Sequence, residues 1–273
     1  MDASPRAPAL LVRPHLLVLA LGALLGCSEQ PSDESPAQAG PSGDAAVVGS
    51  GTIRPAVVEP EDGEWRMPAK DFASTRFSGL DEIRADNAKN LELAWTFSTG
   101  VLRGHEAAPI VANNTMYVVT PHPNYLYALD LTRGGALKWK YDPGASRAAR
   151  GVACCDVVNR GAVYADGRVF FNTLDVHTVA VDAETGEEVW KVKLGEISRG
   201  ETMTMAPLVA KGKVFVGNSG GEMGVRGWIA ALDAATGEVV WRAYSTGPDA
   251  DVLIGPDFRP FYEMDRGTDL GVT

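Results

Sequence analysis

With 273 residues, 45% of them hydrophobic and 22% charged, the chain can bury a sizeable core and has room for one or two domains. A formal net charge of −10 argues against nucleic acid or anionic lipid as the main partner. Thirty glycines and few long amphipathic runs favour a turn-rich, all-β fold over a helical one.

Taken in chain order, residues 1–26 read as a signal peptide. Arg6 and Arg13 give a positive start, and Leu16 to Leu25 form an apolar run too short to span a bilayer. The run ends in Leu24-Leu25-Gly26-Cys27, which resembles the lipobox of bacterial lipoproteins, where the cysteine is acylated; a plain signal peptide cut nearby is the other reading. The expectation is a periplasmic protein, anchored to the outer membrane if Cys27 carries lipid. Residues 27–60 are rich in Pro, Ser, Gly and Ala and nearly free of large apolar side chains, so a disordered tether is expected there. The folded part, 61–273, opens at Gly63-Glu64-Trp65.

Past that point the chain repeats itself. Ala128 to Trp139 (ALDLTRGGALKW), Ala180 to Trp190 (AVDAETGEEVW) and Ala231 to Trp241 (ALDAATGEVVW) are copies of one pattern, and Leu91 to Trp95 (LELAW) looks like the tail of an earlier copy. The tryptophans fall 44, 51 and 51 residues apart, a spacing that suits one four-stranded sheet per repeat. Each full copy opens with a hairpin pattern turning at Asn113-Asn114, Asp166-Gly167 or Lys211-Gly212. A third strand follows at Tyr125 to Leu129, Thr178 to Val181 and Trp228 to Leu232. Repeated four-stranded units without helices predict a β-propeller whose tryptophans are packing residues.

Two stretches interrupt the regularity. From opening Ala to motif Asp the copies measure 22, 20 and 27 residues. The surplus of the third lies in Asn218 to Gly227 (NSGGEMGVRG), a glycine-rich loop presenting Glu222, where backbone can approach a ligand closely. The other stretch is Gly151 to Gly161, GVACCDVVNRG. Adjacent Cα atoms lie about 3.8 Å apart, below the roughly 4.4–6.8 Å of an ordinary disulfide, so bonding Cys154 to Cys155 would close a small strained ring with a flat side. Two free thiols side by side is the alternative.

The A-x-D-x-x-T-G-x-x-x-W pattern resembles the tryptophan-docking motif of eight-bladed quinoprotein dehydrogenases. Together with ACCDVVNRG, Gly104 to Pro109 (GHEAAP), Glu201 to Pro207 (ETMTMAP) and the NSGGE loop, it makes the region from Trp65 onward resemble the pyrroloquinoline quinone (PQQ) alcohol dehydrogenases, the group containing methanol and ethanol dehydrogenases. The resemblance implies that Cys154 and Cys155 form a ring disulfide covering one face of the quinone, and that Arg160 pairs with its oxygens through a fixed fork of donors. Glu106 and Thr204 would bond cofactor carboxylates, Ser219, Gly220 and Gly221 would touch its edge, and Glu222 would ligate calcium or a lanthanide.

The implied reaction is oxidation of a primary alcohol to an aldehyde. The metal would act as Lewis acid and an aspartate as base, and electrons would leave to a cytochrome c. No residue here matches that aspartate, which is expected beyond Thr273, and about four of eight blades are expected in this chain. His15, His105, His122 and His177 show no paired spacing for zinc. A different class, an outer-membrane lipoprotein propeller serving as an assembly scaffold, would share the docking repeats but has no use for Cys154, Cys155, Arg160 and Glu222.

Overall fold

A computed structural model describes residues 63–253. The leader at 1–26, Cys27 and the tether therefore lie outside the described residues, as does everything after 253. Three sheets form. β2 (Ile110–Ala112), β3 (Thr115–Val119), β4 (Leu126–Asp130) and β5 (Ala136–Tyr141) make the first, in sequential antiparallel order. β6 (Asn159–Ala165), β7 (Arg168–Thr173), β8 (His177–Asp182) and β9 (Glu188–Lys193) make the second, and β10 (Leu208–Ala210), β11 (Lys213–Gly217), β12 (Trp228–Asp233) and β13 (Val239–Tyr244) the third.

Each opening hairpin has a two-residue turn in the left-handed region: Asn113 and Asn114 at φ 51° and 55°, Asp166 and Gly167 at 48° and 75°, Lys211 and Gly212 at 48° and 68°. Two positive φ values in succession give the twist that matches flanking strands, so these short turns fix the register of the first two strands of each blade. The third and fourth strands meet at the repeated D-x-x-T-G turn. Asp182 Oδ1 accepts from the backbone N–H and hydroxyl of Thr185, and the Gly186 N–H donates to Asp182 O at 2.9 Å; Asp233 repeats the arrangement with Thr236 and Gly237. A bulge falls at the same motif position in all three blades, at Ala128/Leu129, Ala180/Val181 and Ala231/Leu232.

Docking between blades follows directly from that turn. Gly186 has φ +77°, and a Cβ built on it would lie 2.6 Å from the Trp139 ring; Gly237 meets Trp190 in the same way at 2.8 Å. Each indole N–H donates to the alanine after the motif Asp, Trp139 to Ala183 O and Trp190 to Ala234 O, both at 3.1 Å. Period-2 alternation then lets the second blade bury both faces. Val169, Phe171, Val179 and Val181 pack towards the first blade, and Val163, Phe170, Ala180 and Trp190 towards the third. Fully burying a side chain such as Phe170 or Phe171 stabilises by roughly 2–3 kcal/mol. Trp241, on the third blade, is 37% exposed against 8% for Trp190.

Two features differ from expectation. Leu91 to Trp95 pairs as no strand, so three complete blades stand among the described residues and the earlier copy is represented by Trp95 alone, docked on Gly135. A strand needs a partner, and that apolar pattern has none here. The second sheet also gains a fifth member that no hairpin signal announces: β1 (His105–Ala108) runs parallel to β6, His105 opposite Asn159 and Ala108 opposite Gly161.

Candidate cofactor and metal site

Parallel pairing of β1 with β6 sets Glu106 beside Arg160, whose Nε lies 3.4 Å from Glu106 Oε2. Arg160 also links to the third blade twice: its backbone N–H donates to Thr204 O at 2.9 Å, and its guanidinium donates to Thr204 Oγ1 at 2.7 Å. Thr204 Oγ1 in turn lies 3.5 Å from Ser219 Oγ. Glu106, Arg160 and Thr204 each stand two residues before the alanine that opens a blade, Ala108, Ala162 and Ala206. The residues leading into successive blades are thus brought to one place, Glu106 and Arg160 on the second sheet and Thr204 at the edge of the third. With both partners near half exposed, the ion pair by itself adds little stability, and its guanidinium remains open to a ligand.

The other side of the site is carried by loops. Residues 146–157, between β5 and β6, begin with a short 3-10 turn (Arg147–Gly151) and then present Cys154 and Cys155, both exposed. Their sulfurs lie 3.0 Å apart, a hydrogen-bonding contact and not a bond, so the ring disulfide expected from the resemblance is not formed in this structure. The Cys155 thiol first, then loss of hydration and the Glu222 carboxylate, push the Cys154 thiol up to about 11, which places Glu222 against the cysteine pair. The loop is tied at both ends. Ser146 N–H donates to Asp175 Oδ2 at 2.8 Å, and His122 N–H donates to Val157 O at 2.8 Å. Burial would raise the Asp175 carboxyl, yet the His177 ring 3.3 Å away and hydrogen bonds from Thr173 and the Ser146 N–H outweigh it and hold this group well below the usual carboxylate range.

Ser219, Gly220, Gly221 and Glu222 occupy the second loop. Ser219 exchanges both backbone hydrogen bonds with Thr202, at 2.8 and 3.2 Å. Gly220 sits at φ +126°, and a Cβ there would lie 2.4 Å from Gly200 O, so no other residue fits. Gly221 faces open space, which lets a ligand edge approach the backbone.

The donor set suits an anionic, carbonyl-rich quinone: a guanidinium and two hydroxyls converge on one spot, with a carboxylate behind the first and another beside the cysteines. The fit to a hard cation is partial. Glu222 offers oxygen, but calcium takes six to eight such ligands, and among the described residues no group of three or more His, Cys, Asp or Glu could hold a metal ion.

Residues 65–254 match the family described as PQQ: glucose/ethanol/alcohol dehydrogenase, beta-propeller domain. The chain belongs to this family. It is 52% identical over 211 residues to the lanthanide-dependent methanol dehydrogenase of Methylacidiphilum fumariolicum, covering 77% of this chain and 34% of that protein. It is 50% identical over 203 residues to methanol dehydrogenase [cytochrome c] subunit 1 of Methylobacterium organophilum, covering 72% and 32%. Among solved structures, a europium-containing methanol dehydrogenase aligns with TM-score 0.70 and 53% identity over 73% of this chain and 34% of that one. The chain therefore spans about a third of the length of these relatives. The PQQ-dehydrogenase propeller expected from the sequence is confirmed, and with it membership of an oxidoreductase family.

Proposed function

We propose that this protein is a PQQ-dependent dehydrogenase that oxidises a primary alcohol to an aldehyde outside the cytoplasm, with calcium or a lanthanide at Glu222 and a cytochrome c as electron acceptor. One observation carries the reading: in a chain of this family, Glu106, Arg160, Thr204 and Ser219 form a continuous polar chain from the second sheet to the third blade, with Cys154, Cys155 and Glu222 gathered alongside. The names of the relatives, lanthanide-dependent and cytochrome c-linked methanol dehydrogenases, supply the metal, substrate class and acceptor.

Bound quinone supplies the two-electron acceptor and the cation its Lewis acidity. The residues of this chain bind and orient. Arg160 presents forked donors to a carboxylate or carbonyl oxygen, while Glu106 aims the guanidinium and balances its charge. Thr204 and Ser219 offer hydroxyl donors on the same edge. Bonded to each other, Cys154 and Cys155 would lay a rigid surface over one face of the ring and keep water from it. Lipidated Cys27 and the following tether would hold the propeller at a membrane surface.

The native protein supplied with PQQ and either calcium or lanthanum is expected to reduce cytochrome c when given a primary alcohol. Glu222→Ala should abolish the metal-dependent part of that turnover; unchanged turnover rejects Glu222 as a ligand. Unreduced protein should resist alkylation at Cys154 and Cys155 and take up two labels after reduction.

A further inference from the structure

Glu201 is a buried carboxylate that makes none of the proposed quinone or metal contacts. No cation lies within salt-bridge distance of it among the described residues. Instead it accepts three hydrogen bonds: from the Glu196 N–H at 2.6 Å, the Trp228 indole N–H at 2.9 Å and the Asn218 amide at 3.4 Å. The partners are not scattered. Asn218 and Trp228 are the two ends of the loop that carries Ser219 to Glu222, and Asn218 closes that loop itself. Its Oδ1 accepts from the Trp228 N–H at 2.8 Å, and its amide also donates to Arg226 O at 3.1 Å. Gly195 makes room for the arrangement, because a Cβ there would lie 2.7 Å from Glu201 Oε2.

Packing holds the loop on one side only, where Gly220, Met223 and Val225 lie against Gly200 so closely that a Cβ on Gly200 would come within 2.8 Å of Met223. A cavity of about 710 Å³ lies behind the loop, lined by Glu196, Glu201, Gly224, Val225 and Trp228 among others. Its outer residues Gly221 to Gly224 are exposed. Besides its contact with Gly200, the loop is held by the backbone bonds between Ser219 and Thr202, by turn bonds from the Met223 and Val225 N–H groups to Gly220 O, by Arg226 bonded to Thr246 O and Asp251, and at its base by the side-chain clamp of Glu201, Asn218 and Trp228.

We infer that Glu201 is the positioning residue for the metal-binding loop, acting through Asn218 and Trp228 to set where the Glu222 carboxylate stands. The inference rests on the metal role proposed for Glu222. Groups that orient a ligand from behind typically change metal affinity 10- to 100-fold when removed.

The test uses the native protein with Eu³⁺ as luminescent probe, together with amide hydrogen exchange of residues 219–227 measured without metal. Glu201→Gln turns one acceptor into a donor facing an N–H, and is expected to weaken Eu³⁺ binding about tenfold or more and to speed exchange in the loop. Trp228→Phe keeps one aromatic ring but loses the indole N–H together with the fused five-membered ring of a buried side chain, so its unfolding midpoint is measured alongside; with the fold intact it should shift both readouts in the same direction by a smaller factor. If both variants match wild type in affinity and exchange, the positioning role is overturned while the proposed function stands. If wild type binds no Eu³⁺, the metal role of Glu222 falls, and the inference with it.

Discussion

The two halves of the candidate site are built by different means. Glu106, Arg160 and Thr204 sit on or beside the opening strands of successive blades, so their positions are set by sheet pairing and by tryptophans docked on the glycines of the next blade. Cys154, Cys155 and Glu222 ride on loops, and each loop needs props of its own: Asp175 and His122 for the first, Glu201, Asn218 and a glycine with no room for a side chain for the second. A repeat architecture can inherit the first half by copying a blade. It must add the second half as insertions, and these fall where the repeat spacing breaks.

The contrast predicts which changes break both halves and which break one. Gly186→Ala puts a Cβ 2.6 Å from the Trp139 ring at φ +77°, and should cost roughly 3–4 kcal/mol of global stability from overpacking and left-handed strain together. Thermal or urea unfolding would show it, with quinone and metal binding lost together. Gly220→Ala meets backbone at 2.4 Å, but in a loop. It should weaken Eu³⁺ binding by on the order of 30-fold while moving the unfolding midpoint far less than Gly186→Ala, reflecting local steric strain of about 2 kcal/mol. Arg160→Lys removes the fork that spans Thr204 and Glu106, and quinone affinity should fall about tenfold, with exchange in residues 219–227 unchanged.

The smallest effect is a pH dependence of the cysteine loop. Asp175 is held ionised below the usual carboxylate range, so its contribution is complete above an unfolded-state pKa of about 3.9 and is lost as pH falls through the lower folded value. Protection of the Ser146 amide against exchange should decline in acid below roughly pH 4, and Asp175→Asn should remove that decline. Loss of protection on raising the pH instead would contradict the assignment.

The same division explains what was legible in the sequence. Hairpin turns such as Asp166-Gly167 and the docking turn Asp182 to Gly186 carry their geometry in three to five consecutive residues, so blades could be placed from local pattern alone. β1 could not, because a parallel strand joins residues 54 apart and needs no turn. The sequence does carry one signal for the cluster: Glu106, Arg160 and Thr204 share an offset of two residues from the opening alanine of a blade. The tail motif at Leu91 to Trp95 was legible as well: Trp95 docks on Gly135 as Trp139 does on Gly186, although among the described residues the segment pairs as no strand. The clamp of Glu201 with Asn218 and Trp228 spans up to 27 residues through side chains, and leaves no periodicity to read.

On the function proposed above, the strand-borne and loop-borne halves enclose one PQQ molecule, with Arg160 as its principal anchor. Titration of PQQ into the native protein, followed by the absorbance of the bound quinone in wild type and in Arg160→Leu, tests it most directly. Saturable binding of one quinone per chain is expected, dropping about 100-fold or more in the variant because two charge-assisted hydrogen bonds are lost. Equal binding by wild type and variant would contradict it.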